Sequence, residues 1–144
     1  MRAVDVVPYD PDWPNRYQLE ARALSTVLGA QALAVHHIGS TAVPGIPAKP
    51  IIDLLVEVRN IESVDDFDDR LRDLGYLPKG EFGIPDRRFF IKPAEELRTH
   101  HVHMFARGNP EIARHLRFRD YLIAHPQEAR CYGCLKQTLA RQFP

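Results

Sequence analysis

The chain has 144 residues, 44% of them hydrophobic and 26% charged, which fits one core and excludes a disordered or fibrous architecture. Nineteen Lys and Arg balance nineteen Asp and Glu, so no global basic charge marks a nucleic-acid binder and only local patches carry information. No stretch of about 18 apolar residues occurs and the start, MRAVDVVPYDPDWPNRY, lacks a basic-then-apolar leader, so a cytoplasmic protein away from membranes is expected.

In chain order, Pro8, Pro11 and Pro14 punctuate the first segment, and Asp12 is a cap candidate for a helix from about Trp13 to Leu28. Tyr17, Ala21, Leu24 and Leu28 recur at helical spacing and Gly29 supplies the stop, which predicts one buried face. LAVHHIG reads as a short strand. KPIIDLLVEV is a second, almost continuously apolar strand of the kind covered on both faces, which makes the aspartate inside it conspicuous. NIESVDDFDDRLRDLGY predicts a helix with Phe67, Leu71 and Leu74 inward and its acids in solvent. RRFFIKP and HHVHMFA are strand-like, joined by the loop AEELRT as a hairpin. From Asn109 two helices follow, broken at His125-Pro126. With no repeat or linker, residues 1–144 read as a single domain, an α/β or α+β layer of helices on a small mixed sheet with a C-terminal helical pair. Cys131 and Cys134 lie in the last helix and read as ordinary reduced cysteines.

Several of these residues bear chemistry. Gly39 lets backbone approach a ligand after the first strand, and Ser40 offers a hydroxyl and an amide to phosphate oxygens. Pro44, Gly45, Pro47 and Pro50 stiffen the loop that follows, and Lys49 at its end can neutralise a phosphate. Asp53, in a buried strand, needs donors, a cation or a metal, and Mg²⁺ with substrate phosphates is one reason to keep it there. Strand alternation places Leu55 and Glu57 on the side of Asp53, with Glu57 expected at the surface where the strand ends. His101 and His103, two apart on a strand, leave one face about 7 Å from each other, a spacing that suits a shared metal or phosphate as well as histidines bonded to backbone. Arg87, Arg88, Lys92, Arg117 and Arg119 are candidate phosphate contacts, of which one or two are expected to matter.

Taken together, HHIGSTAVPGIPAKPIIDLLVEV, RTHHVHMF and HLRFRDYLIAHPQEARCYGCLK resemble the GrpB family, an uncharacterised bacterial family of the nucleotidyltransferase superfamily. The resemblance covers nearly the whole chain. It implies a nucleotidyltransferase-like sheet in which a Gly-Ser pair holds triphosphate and carboxylates on the next strand bind Mg²⁺, two ions aligning a hydroxyl with the α-phosphate. Gly39, Ser40 and Thr41 match the Gly-Ser-Thr and Asp53 one metal carboxylate, while Ile51 and Leu55 stand where an Asp-x-Asp would carry its second acid. A two-metal site here must therefore recruit a partner such as His101 or His103, or bind metal weakly. His36 replaces an acidic residue associated with this position in relatives, which often also continue past LKQTLARQFP with a helical tail. Three functions follow: a nucleotide-binding enzyme using Asp53, Lys49 and Mg²⁺; a degenerate nucleotide sensor or helper of a protein partner, since such domains occur fused to dephospho-CoA kinases; or a metal-dependent enzyme built on His101, His103 and Asp53.

Overall fold

The computed structural model describes residues 5–94 and 97–142, with the side chains of 94 and 136–142 left out of the description. Trp13–Leu28 is a helix (α1) with Trp13, Glu20, Ala21, Leu24 and Leu28 buried. Asp12 occupies the cap position without capping; its carboxylate instead accepts from the side chains of Asn15 and Arg16. Strands Ala32–Ile38 (β1) and Ile52–Val58 (β2) run antiparallel, with Lys49 in the loop before β2 rather than in the strand.

The helix expected over 60–76 is broken into a 3₁₀ stretch, Glu62–Phe67, and a short helix, Asp68–Asp73 (α2). Aspartate favours caps and turns over helix interiors, and four aspartates fall within 65–69. Leu77–Pro78 forms a two-residue strand (β3) that the pattern did not announce. The hairpin is tighter than expected: Arg87–Ala94 (β4) and Leu97–Ala106 (β5) take in most of the predicted loop, of which residues 95 and 96 lie outside the described ones. Pro110–Ala124 (α3) and Pro126–Gln142 (α4) form the C-terminal pair, with Asn109 accepting from the Glu111 amide as a working N-cap.

The sheet order is β1-β2-β5-β4-β3, so β5 inserts between β2 and β4 and runs parallel to β2. One face carries the larger core, where Leu24 and Leu28 of α1 and Leu71 of α2 meet Leu54, Val56, Val102 and Met104. The other face packs Ile38, Leu55 and Phe105 against Ile112 of α3. Along edge strand β1 the Val35 carbonyl accepts from Tyr17 of α1 at 2.9 Å and the His37 carbonyl from Arg119 of α3 at 3.1 Å, which removes acceptors that would otherwise invite a further strand. The proline-rich loop rests on the helical pair: Val43 and Ile46 are buried with Leu122 and Ala129, and a Cβ on Gly133 would lie 2.7 Å from Pro47. The path of this loop is thus fixed by packing as well as by its prolines.

Candidate functional site

The register aligns Ile38 with Asp53 and Asp53 with His101, and pairs Leu55 with His103. Because side chains alternate, Asp53, His101 and His103 leave the sheet on the face that α3 covers. The carboxylate is the hub: Asp53 Oδ1 lies 3.4 Å from His103 Nε2 and 3.5 Å from His101 Nδ1. Burial pushes the Asp53 carboxyl up, but the two histidine contacts pull it further down, so it stays below its usual range and ionised. Across the strand end, Gly39 has φ 73° and ψ −173°, and a Cβ there would meet Asp53 Oδ2 at 2.7 Å. The Gly-Ser turn is therefore seated directly on the carboxylate, and glycine is the residue that permits it.

Not every expected residue joins this cluster. Thr41 is 2% exposed and turned inward, its hydroxyl 2.9 Å from His37 Nε2 and 3.5 Å from the Ile51 carbonyl, so it braces the loop. Arg88 and Lys92 leave the opposite face of β4. Arg88 donates to Asp65 at 2.7 Å, and Lys92 to Glu20 at 2.9 Å, a carboxylate that also accepts from Tyr76. Both cations hold the larger core's face together and stand away from Gly39. Lys49 and Arg117 are exposed, and Ser40 opens the turn. Glu57 is not a free strand-end carboxylate: His36 Nε2 lies 2.6 Å from it and Arg107 3.4 Å, so the histidine in the place of an acid becomes the partner of one.

One residue belongs here that its sequence position did not assign, His115, and Arg87, expected only as a phosphate contact, reaches a histidine instead. His115 of α3 lies with its ring 5.6 Å from that of His103, and Arg87 donates to His103 Nδ1 at 3.2 Å. The signal for the first was Ile112, His115, Leu116 and Arg119 at helical spacing, which put the histidine on the packed face.

Mg²⁺ prefers a shell of oxygen ligands, whereas these side chains offer one carboxylate and two imidazoles. Leu55, where the second acid would stand, is fully buried beneath α3. Among the described residues no group of three or more His, Cys, Asp or Glu is arranged to hold a metal ion. The residues present do not fit a two-ion Mg²⁺ site.

The GrpB protein family model matches residues 3–144. The chain belongs to the GrpB family. It is 51% identical over 143 residues to the UPF0157 protein YqkA of Bacillus subtilis, covering 99% of this chain and 41% of YqkA. This GrpB-family chain thus spans less than half the length of that relative. The crystal structure of GrpB from Enterococcus faecalis superposes with a TM-score of 0.94 at 46% identity, over 96% of this chain and 84% of that one. The Cid1 poly(U) polymerase shares the fold at a TM-score of 0.51 and 12% identity, over 81% of this chain and 37% of Cid1. A dephospho-CoA kinase of Mycolicibacterium paratuberculosis is 31% identical over 160 residues, which cover 94% of this chain and 39% of the kinase. No helix among the described residues is long and apolar enough to cross a membrane.

His37, beneath the turn, offers a pH test. It is stacked on Tyr17 at 4.7 Å, and burial lowers its pKa to about 4 against the attraction of Asp53. Below about pH 6.5 the unfolded imidazole takes up a proton that the folded one refuses, so stability falls as pH drops from about 6.5 to about 4. After allowing for its partial exposure the expected loss is about 2 kcal/mol. Urea denaturation at pH 7 and pH 4.5 should show His37→Gln losing correspondingly less than the wild type; equal losses would place the sensitivity elsewhere.

Proposed function

We propose that this chain binds a nucleotide or another phosphorylated small molecule on the Gly39–Ser40 turn, and that it works as a binding or helper domain rather than as a two-metal nucleotidyltransferase. The observation that supports the reading is the approach of the turn to Asp53, where a Cβ on Gly39 would stand 2.7 Å from the carboxylate. Phosphates held by the backbone and hydroxyl of Ser40 would then lie beside Asp53, with His101 and His103 behind it. The fold shared with Cid1 supports the nucleotide half of the reading, and the burial of Leu55 supports the non-catalytic half. The match within a dephospho-CoA kinase favours a helper role for a protein partner in that chemistry.

Isothermal titration with the four nucleoside triphosphates, with and without Mg²⁺, tests this directly. Ser40→Ala is expected to weaken binding about tenfold, the worth of one hydrogen bond to a charged group. Asp53→Asn should separate the roles of charge and ion. Without Mg²⁺ it removes a negative charge next to the phosphates and tightens binding; with Mg²⁺, carried in on the phosphates, it weakens binding. No heat with any triphosphate, together with an Asp53→Asn variant indistinguishable from wild type, would end the proposal.

A further inference from the structure

Arg87 is only 6% exposed, an uncommon position for a guanidinium, and the chain is shaped around it. Its Nε donates to the Glu81 carbonyl at 3.1 Å and its Nη2 to the Phe82 carbonyl at 2.9 Å, while the group lies 4.5 Å from the centre of the Phe89 ring. Phe82 and Asp86, in the loop that supplies these carbonyls, are the non-glycine residues with positive φ among the described ones, at 47° and 62°. Strain of this kind persists where surrounding contacts hold it. Here those contacts include a buried arginine whose third nitrogen, Nη1, points at His103 Nδ1 from 3.2 Å.

A guanidinium has donors and no acceptor, so His103 Nδ1 must present its lone pair to Arg87. The ring proton then sits on Nε2, which is 3.4 Å from Asp53 Oδ1. We infer that Arg87 is a positioning residue that fixes His103 in the Nε2–H tautomer, making it a hydrogen-bond donor to Asp53 and withdrawing it from metal binding. A metal at Nε2 needs that nitrogen's lone pair, which would move the proton to Nδ1 and set it against an arginine N–H. With Arg87 in place, a chelate of His101, His103 and Asp53 loses one of its three ligands. The inference goes beyond the ligand reading and holds whatever the site binds. It also leaves His101 as the imidazole with an acceptor to spare: if His101 donates through Nδ1 to Asp53, its buried Nε2, which has no partner, carries a lone pair.

Proton–nitrogen correlation spectra of the histidine side chains at pH 8, with His103 assigned by its loss in His103→Gln, read the tautomer directly. In the wild type Nδ1 is expected in the unprotonated range and Nε2 in the protonated one, and added Zn²⁺ should leave both unchanged. Arg87→Met should leave the Nε2–H form held by Asp53 alone and admit a measurable share of the Nδ1–H form, and Arg87→Lys, which keeps a donor, should restore the full bias. A wild-type His103 protonated at Nδ1 would overturn the inference. So would wild-type Zn²⁺ uptake that disappears in His103→Gln, or a folded Arg87→Met with an unchanged tautomer. Should Arg87→Met fail to fold, the wild-type spectrum and the Zn²⁺ titration decide alone.

Discussion

Gly39→Ala is expected to lower stability by about 3 kcal/mol, read as a fall in the urea midpoint at unchanged slope. Two causes add. A side chain at φ 73° and ψ −173° is confined to a region that glycine alone occupies freely, at about 1–3 kcal/mol. Its Cβ also meets Asp53 Oδ2 at 2.7 Å, and the carboxylate has little room to retreat because His101 and His103 hold its other oxygen. A double-mutant cycle separates the two: in the Gly39→Ala background, Asp53→Ala should cost less than it does alone, since it removes the collision while leaving the backbone strain. Strict additivity of the two changes would show that the turn does not rest on the carboxylate. A Gly39→Ala variant within about 0.5 kcal/mol of wild type, the range of an inconsequential substitution, would remove the structural basis of the binding proposal as well.

Leu55→Asp restores the Asp-x-Asp pattern in sequence and should be more damaging still, at about 4 kcal/mol at pH 7. The new carboxylate would sit at a fully buried position against Ile38, Phe105 and Ile112, and its cross-strand partners His36 and His103 already stand beside Glu57 and Asp53. Burial raises the pKa of such a group, so protonation on lowering the pH from 7 toward 5 should return part of the lost stability. That direction is opposite to the one expected for His37, and the two can be separated in the same titration. If α3 shifted so that Asp53 and the new acid shared ions, Mg²⁺ with a nucleoside triphosphate would raise the melting temperature of Leu55→Asp well above its effect on the wild type. Such a rise would contradict the view that packing against α3 bars a two-metal site from this fold.

These two substitutions also mark where the sequence stopped informing. Glycine at position 39 is legible as a permissive residue after a strand, but the reason it is required lies 14 positions away in Asp53, which only the β1–β2 register brings beneath it. Leu55 is legible as the residue in place of a second acid, yet its burial under α3 comes from a helix more than 50 residues further on.

The sequence by itself determined the order and type of nearly all the elements, because hydrophobic periodicity, prolines and helix stops are local signals. It also determined that His101 and His103 share one face of a strand, since alternation needs no partner strand, and the GrpB resemblance through motifs that lie contiguous in the chain. Only the tertiary structure decided which face of β4 looks toward Asp53. Position parity separates Arg87 from Arg88 and Lys92, but the side each set takes depends on β5 entering between β2 and β4 in a particular register. A shift of one residue exchanges every side chain between the faces of a sheet. Arg88 and Lys92 consequently pair with Asp65 and Glu20 on the far side, and Arg87 alone of the three reaches the histidines. Non-local pairing sets that choice, and no local pattern in the chain encodes it.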